Sequence, residues 1–153
     1  MVTIDVGKHD PANRDACLAA LLDSLDAAIA ASATSELTVL FDVRGYGLAN
    51  ADLKTAKRMV GALQTGYPEN LGLAVFLGAP RIFGVLWRVV RVLIDARTVS
   101  KVHFVQQPAE LDALIGLFAV PTAQGGRNVG VQAHMERWCA ELLAADGLAP
   151  AAQ

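Results

Sequence analysis

Two predominantly apolar runs stand out in the hydrophobic pattern of the chain, at residues 37–43 and 72–78. Both runs are short and carry β-branched or aromatic side chains, which is typical of central strands covered on both faces of a sheet. Val99–Val105 predicts a third such strand, which follows Thr98. Residues 1–6 alternate apolar and polar side chains and predict a short first strand.

Helical patterns fill the segments between these strands. Asp10 can cap a first helix that has Pro11 at its first position. Its apolar stripe consists of Leu18, Leu21, Leu22, Leu25 and Ile29. A second helix begins after either Asn50 or Asp52 and ends at Gly66. Its buried side is predicted to carry Leu53, Ala56, Val60 and Leu63.

Two more helices are predicted in the last third of the chain. A short helix runs from Pro108 through Leu117, and a turn follows at residues 124–126. The apolar stripe of the last helix consists of Val131, Met135, Trp138 and Leu142. The alternation of strands and helices predicts an α/β fold with a mostly parallel central sheet and flanking helices. We expect a single domain over residues 1–147 and a frayed tail at residues 148–153.

The segment at residues 81–94 departs from the usual pattern of a helix on the surface of a sheet. Its apolar side chains surround the whole helix axis: Ile82, Phe83, Val85, Leu86, Trp87, Val89, Val90, Val92, Leu93 and Ile94. Only Arg88 and Arg91 give it a polar side. Such a helix is either covered by protein on both sides or contacts something apolar outside the fold. The residues alone leave both interpretations open.

Composition excludes several classes of function. The 13 basic and 15 acidic residues argue against a nucleic-acid surface, which would need a strongly basic face. The mean hydropathy of +0.38 is high. Much of the excess is alanine, and the remainder is concentrated around residues 71–94. No apolar stretch reaches the roughly 18 residues that a membrane span needs, because Arg81 interrupts the longest one. The N-terminus lacks a signal-peptide pattern, so we expect a cytoplasmic protein.

The candidate reactive residues do not form a recognisable catalytic or metal-binding motif. Cys17 and Cys139 fit no metal or redox spacing, and three histidines lie far apart on different elements: His9, His103 and His134. Asp42 lies where a strand meets a glycine turn, but no histidine, second acid or serine accompanies it in a known pattern. We therefore expect neither an enzyme nor a metal or cofactor.

Five motifs in a fixed order carry a family resemblance. They are the strand and turn VLFDVRGYGL at residues 39–48, the helix end TGYPENLG at 65–72, the strand LAVFLGAP at 73–80, the apolar helix after it, and DARTVSKVHF at 95–104. In this order they closely resemble the lipid-binding domain of the Sec14-like, or CRAL-TRIO, family. The resemblance covers nearly the whole chain.

This resemblance implies a Sec14-like lipid-binding fold and a function. Members of that family hold one lipid or other apolar molecule under a mobile hydrophobic helix, for lipid transfer or presentation in the cell. The resemblance implies that residues 81–94 form this gate. The implied lipid-binding residues are Val39, Phe41, Met59, Leu63, Val75, Leu77, Phe83, Leu86, Trp87, Val90, Leu93 and Ile94. Arg88 and Arg91 would face the membrane surface, with the protein peripheral to it.

The chain departs from the family pattern in two ways. The family usually carries a helical N-terminal lobe before the first strand, whereas this sequence begins at that strand, so we expect the lobe to be absent or supplied elsewhere. Phosphoinositide-binding members use charged residues near the closing glycine turn, but residues 119–124 are uncharged here. A neutral or isoprenoid-like ligand is therefore at least as compatible as phosphatidylinositol.

Two other functions are compatible with the sequence. Some Sec14-related domains bind small GTPases or other proteins, in which case the apolar surface at residues 83–94 would be a protein or homodimer interface. The stretch at residues 37–53 also loosely resembles STAS-like regulatory domains. It has Asn50, Ala51 and Asp52 where that family has a serine.

Overall fold

The computed structural model describes residues 1–116, 119–120 and 122–127. Met1–Gln107 form one compact unit, and a second unit begins at Pro108. The single domain predicted over residues 1–147 stays a prediction. Several predicted features lie outside the described residues: the last predicted helix, the predicted tail, Leu117, His134 and Cys139.

The first unit is built on a parallel sheet of four strands. The strands are β1 (Val2–Asp5), β2 (Leu37–Asp42), β3 (Leu71–Leu77) and β4 (Val102–Val105). They lie side by side in chain order, and each neighbouring pair is parallel. Parallel neighbours require a crossover between strands, and helical segments supply all three. The predicted α/β fold with a parallel sheet and flanking helices is confirmed.

Five helices are described. They are α1 (Arg14–Ala30), α2 (Leu53–Gly66), α3 (Phe83–Val90), α4 (Ala96–Ser100) and α5 (Pro108–Ile115). Short 3₁₀ turns lie at Val6–Lys8, Pro11–Asn13, Leu48–Asn50, Arg91–Leu93 and Thr122–Gln124. The first four helices belong to the first unit, and α5 belongs to the second.

The pairing register of the strands assigns their side chains to two faces. Val39 pairs with Ala74, and Leu40 pairs with Val75. Because side chains alternate along a strand, Val39 and Ala74 share one face, while Leu40 and Val75 share the other. Val39 and Ala74 pack in one hydrophobic cluster with side chains of α1, α2 and α3. We call this side the helix face of the sheet.

Aspartate side chains cap the first helical turn and the second helix. The Asp10 carboxylate accepts a hydrogen bond from Ala12 N at 2.9 Å and so caps the 3₁₀ turn at Pro11–Asn13, whereas α1 begins after Asn13 without a side-chain cap. Asp52 caps α2, since its carboxylate accepts from Thr55 N at 3.0 Å. Asn50, the other predicted cap, lies two residues earlier, at the end of the 3₁₀ turn in the connecting loop. All five predicted stripe residues of α1 pack in the helix-face cluster.

Three predicted features differ in the structure. The strand predicted from Val99 begins at Val102, because Asp95 caps the short helix α4 through Thr98 N at 2.8 Å. The helix predicted over residues 81–94 is divided into α3 and a 3₁₀ turn that ends at Leu93. Leu53 was predicted to be buried but is 38 % exposed, because it lies in the first turn of α2 at the rim of a groove.

A candidate apolar binding groove

An apolar groove lies between the loop that follows β2 and the outer side of α3. Its volume is about 310 Å³, at the lower end of the range of small-molecule sites. All eight lining residues are apolar or aromatic: Tyr46, Leu48, Ala51, Leu53, Ile82, Val85, Leu86 and Val89. Leu48 is 81 % exposed and Val85 is 56 % exposed, so the groove is open to solvent along one side.

A left-handed turn and an ion pair form the start of the loop wall. Asp42 is buried at the end of β2, where it accepts from Arg44 N at 3.2 Å and from Arg44 Nε at 2.9 Å. This hydrogen bonding to Asp42 raises the pKa of Arg44. Gly45 follows with φ of +74°, a backbone conformation that glycine adopts at no steric cost. The turn directs the Tyr46 side chain back into the core, where it is only 5 % exposed.

Asn50 holds the middle of the loop from both sides. Its side-chain amide donates to the carbonyl oxygens of Gly7 at 3.1 Å and His9 at 2.9 Å. Its carbonyl oxygen accepts from Gly47 N at 3.2 Å. Leu48 lies between Gly47 and Asn50, so three hydrogen bonds of Asn50 fix the backbone that presents this exposed leucine.

Asp52 holds the end of the loop. Its carboxylate accepts from Thr55 N, from Thr55 Oγ1 at 2.7 Å and from Arg14 Nε at 3.1 Å, while His9 Nε2 lies 3.6 Å away. Burial alone would raise the pKa of Asp52, but the hydrogen bonds from Thr55 and Arg14 outweigh it and hold the pKa well below its usual range. Asp52 therefore serves as an ionised structural anchor.

Aromatic side chains fill the space between α3 and the sheet. The rings of Phe41 and Phe76 stack with centroids 4.6 Å apart. Phe83 and Trp87 of α3 pack on Phe76 at 5.3 and 5.7 Å, and Trp87 also contacts Phe104 edge-on at 5.3 Å. The inner side of α3 thus rests on the helix face through ring contacts.

The structure brings together only part of the predicted lipid-binding set. Seven of those residues belong to the helix-face cluster: Val39, Phe41, Met59, Leu63, Phe83, Leu86 and Trp87. Val75 and Leu77 are buried on the opposite face of the sheet, so they do not share a surface with Val39. Val90 is buried, Ile94 is half-buried, and Leu93 is 42 % exposed.

The outer side of α3 is apolar and open. Val85, Val89 and Val92 are 56 %, 38 % and 75 % exposed, an unusual share for valines on one short segment. Arg88 and Arg91, the predicted membrane-facing residues, are exposed beside them. In the described part of the chain, neither arginine forms an ion pair with an acidic side chain.

Comparison with known proteins assigns the family. The family model described as "CRAL/TRIO domain" matches residues 1–126. The chain belongs to the CRAL/TRIO domain family. The predicted resemblance is thereby confirmed, and the STAS-like alternative has no support from this match.

Relatives of this CRAL/TRIO chain include proteins named for lipid transfer. It is 31 % identical over 91 residues to the phosphatidylinositol transfer protein CSR1 of Eremothecium gossypii, an alignment covering 60 % of this chain and 21 % of that protein. It is 33 % identical over 84 residues to the phosphatidylinositol/phosphatidylcholine transfer protein SFH7 of Arabidopsis thaliana, covering 50 % and 15 %. The chain spans about a fifth or less of the length of these relatives.

A solved structure, the crystal structure of Sfh5, was also matched. The sequence identity is 23 % and the TM-score is 0.46, over 52 % of this chain and 29 % of that one.

Sequence reasoning missed most of the groove. Of its eight lining residues, only Leu86 belongs to the predicted binding set. Tyr46, Leu48 and Ala51 lie in a loop, where apolar side chains follow no periodic pattern. The one sequence signal of the groove is that two large side chains, Tyr46 and Leu48, occur in this short glycine-containing loop before the helix cap. Within the described ranges, no helix of the CRAL/TRIO chain has the length and apolarity of a membrane span, and no three metal-ligating side chains converge.

Proposed function

We propose that this CRAL/TRIO chain binds one lipid or other apolar small molecule at residues 81–94 and transfers or presents it inside the cell. The observation that carries the proposal is the open groove, whose whole lining is apolar or aromatic and which has one wall on α3. Family membership and relatives named as phosphatidylinositol and phosphatidylcholine transfer proteins support it.

The groove gives the ligand access to the core behind α3. Leu86 lines the groove and also packs in the helix-face cluster with Phe83 and Trp87, so a chain that enters along Leu86 meets the aromatic side chains next. In this proposal α3 moves away from the sheet and the ligand replaces its ring contacts. Each methylene group gains about 0.8 kcal/mol on leaving water, in a bilayer or in a dry pocket alike, so exchange between them is nearly balanced.

The two ends of the α3 segment suit a gate. At its N-terminal side, Gly78 has φ of +66° and begins the connection from β3. At its C-terminal side, the Gln64 side chain of α2 donates to the carbonyl oxygen of Leu93 at 2.9 Å. This contact is exposed, and a hydrogen bond of this kind contributes about 0.5–1.5 kcal/mol. The hydrogen bond from Gln64 therefore stabilises the closed position of the segment only weakly.

The character of the groove favours a neutral or wholly apolar portion of the ligand. No charged side chain lines the groove, and Arg88 and Arg91 lie on the outside of the segment. In the proposal these arginines contact an anionic membrane surface during exchange, where each basic residue adds about 1 kcal/mol. The protein then works in the cytoplasm, peripheral to membranes.

A protein-interaction module is the second candidate function. The exposed fractions of Val85, Val89 and Val92 would equally suit burial against a second copy of the chain or another protein. In that case the groove would be filled by a partner side chain and no lipid would accompany the purified protein.

Mass spectrometry of an organic-solvent extract of the purified protein tests the first proposal. We expect a near-stoichiometric apolar molecule in the wild type and its loss in Val85→Asp and Val89→Asp, which introduce a charge into the groove at exposed positions. Leu114→Asp, at a leucine that is 39 % exposed on α5, is the matched control and should keep the ligand. A folded wild type that releases nothing and self-associates through α3 would overturn the carrier function and favour the interaction module.

A further inference from the structure

Tyr46 is the one lining residue of the groove whose side chain carries a polar group. The other lining residues are leucine, isoleucine, valine or alanine, so their side chains offer a ligand apolar contact only. Tyr46 is 5 % exposed, and its ring packs edge to face on Phe83 with centroids 5.3 Å apart. The Tyr46 hydroxyl group is therefore a polar group of fixed position in an otherwise apolar lining.

The hydroxyl group of Tyr46 has no hydrogen-bond partner among the described residues, which is unusual for a buried tyrosine. Two other side-chain atoms without a partner, Thr3 Oγ1 and His9 Nε2, are completely enclosed by protein, whereas the Tyr46 oxygen is not. This oxygen therefore retains accessible surface, and the groove is the open space that Tyr46 lines. Its hydrogen-bond partner is then water or the polar group of a ligand.

The surroundings of the hydroxyl group keep it neutral. Burial, together with the charge of the Asp52 carboxylate, raises the pKa of Tyr46, so its side chain is protonated at neutral pH. A neutral hydroxyl group both donates and accepts hydrogen bonds. Among the eight lining residues there is no lysine or arginine, and an anion that leaves water for an apolar site without a cation is strongly disfavoured. The site therefore favours an uncharged oxygen of the ligand.

We infer that Tyr46 is the specificity-determining residue of the groove: its hydroxyl group forms a hydrogen bond with an uncharged hydroxyl or carbonyl group of an otherwise apolar ligand. The inference rests on the proposed function and narrows its ligand class. A hydrocarbon displaces water from the Tyr46 hydroxyl group without replacing the hydrogen bond, and that loss opposes binding. A phosphate at this position loses the hydration of its charge without gaining a cation.

A competition between four probes that differ in their polar end tests the inference. Phosphatidylcholine vesicles carry equal amounts of hexadecane, hexadecanol, methyl hexadecanoate and hexadecyl phosphate. The purified protein is incubated with the vesicles, separated from them and extracted, and mass spectrometry measures each probe relative to its amount in the vesicles. We expect hexadecanol or methyl hexadecanoate to be enriched over hexadecane and hexadecyl phosphate by about two- to tenfold, the effect of one hydrogen bond. The more enriched of the two identifies the ligand group as a hydroxyl or a carbonyl.

The two tyrosines of the chain provide the variant and its matched control. Tyr46→Phe removes the hydroxyl group, keeps the ring contact with Phe83, and should abolish the enrichment over hexadecane without reducing the uptake of hexadecane. Tyr67→Phe should keep the wild-type enrichment, because the Tyr67 hydroxyl group is bonded to Asp26 and to the Leu22 carbonyl oxygen and Tyr67 does not line the groove. Enrichment that survives Tyr46→Phe would overturn the inference, as would an equal loss in both variants or a preference for hexadecyl phosphate.

Nuclear magnetic resonance measures the hydrogen bond at Tyr46 itself. Labelling of the tyrosine Cζ atoms with ¹³C gives one signal for each of the two tyrosines, and Tyr46→Phe assigns them. We expect the Tyr46 signal to differ between the complexes with the enriched probe and with hexadecane, while the Tyr67 signal is the same in both. Identical Tyr46 signals in the two complexes would contradict the hydrogen bond.

The outcome is separable from that of the proposed function. A wild type that takes up all four probes without preference would support the carrier function and contradict the role of Tyr46. A wild type that takes up none of them, and whose extract contains no apolar molecule, would contradict both.

Discussion

The rings of Tyr46 and Phe83 meet edge to face, with centroids 5.3 Å apart and ring planes at 85°. Tyr46 belongs to the loop after β2, and Phe83 is the first residue of α3, so this pair joins the two walls of the groove. Both side chains are about 95 % buried. The groove therefore has a rigid base, and only its rim is exposed.

Tyr46→Ala should destabilise the protein strongly. Removal of a buried aromatic ring typically costs about 3–5 kcal/mol, and here it also separates the loop from Phe83. Tyr46→Phe keeps the ring and should lose about 1 kcal/mol or less. Urea denaturation at neutral pH provides the two free energies of unfolding. Equal losses in the two variants would show that the hydroxyl group, rather than the ring contact, carries the stabilisation.

Protonation of Asp52 should lower the free energy of unfolding at acidic pH. Its folded-state pKa lies below the usual value of about 3.9, so its contribution is fully present above that pH and is lost as the pH falls through the folded-state pKa. Asp52→Asn keeps an oxygen that can cap α2 but should cost about 1–2 kcal/mol at neutral pH, because it loses the ion pair with Arg14 and the charge that strengthens the hydrogen bonds from Thr55. Below about pH 4 the difference between wild type and variant should narrow. Urea midpoints measured across this range test the prediction, which a constant difference would contradict.

Ionisation of Tyr67 should lower the free energy of unfolding at alkaline pH, whereas Asp52 acts at acidic pH. Its hydroxyl lies 2.6 Å from Asp26 Oδ1 and 3.1 Å from the Leu22 carbonyl oxygen, so it joins the end of α2 to α1. Burial, together with the Asp26 carboxylate, raises the pKa of Tyr67 to about 12. Stability from this raised pKa is present below about pH 10 and is lost as the pH rises toward about 12.

Tyr67→Phe tests that contact. The variant should lose about 1 kcal/mol at neutral pH and should show a weaker loss of stability between neutral and strongly alkaline solution. Ultraviolet titration of the wild type should show one tyrosine that ionises about two pH units above a free tyrosine. If both tyrosines of the chain ionise near pH 10, the contact with Asp26 is not made in solution.

Replacement of either of two glycines by alanine should change the stability of the protein, in opposite directions at the two positions. Gly78 has φ of +66°, and an added Cβ would lie 2.4 Å from Arg44 Cγ, so Gly78→Ala should cost about 1–2 kcal/mol even if the arginine stem shifts. Gly61 lies inside α2 with open space around its Cβ position, so Gly61→Ala should add about 0.5–1 kcal/mol. Thermal unfolding of both variants checks the pair. A stabilising Gly78→Ala would contradict the left-handed conformation.

The fold was predictable because the central strands are buried, and each buried strand has a distinct run of apolar residues in the sequence. The apolar runs that became β2 and β3 differ from the helical stripes in length and residue type, and the five stripe residues of α1 all pack in the helix-face cluster. The register of β3 was not predictable. Every residue of the run at 72–78 is apolar or glycine, so nothing in the sequence distinguishes the faces of Ala74 and Val75. Pairing with β2 makes that distinction, and Val75 and Leu77 lie on the face opposite Val39.

The groove was less accessible to sequence reasoning than the fold. Tyr46 and Leu48 are two residues apart in an irregular loop, yet one is 5 % exposed and the other 81 %. That difference is produced by the Gly45 turn and by the hydrogen bonds from Asn50 to residues about forty positions earlier. Long-range contacts of this kind leave no periodic pattern in the chain.

Gln64 should control how readily the C-terminal end of the α3 segment opens. Its amide donates to the Leu93 carbonyl oxygen, and Gln64→Ala removes that bond without touching the core. A loss of about 0.5–1.5 kcal/mol corresponds to a roughly two- to tenfold increase in local opening. Amide hydrogen exchange at residues 91–94 measures this opening with or without a bound ligand. Thr65→Ala is the matched control, because the Thr65 hydroxyl donates to the Gly61 carbonyl oxygen within its own helix and has no other hydrogen-bond partner among the described residues. If the two variants exchange at the same rate in this segment, Gln64 does not hold it closed, and the opening must be limited by the ring contacts of Phe83 and Trp87.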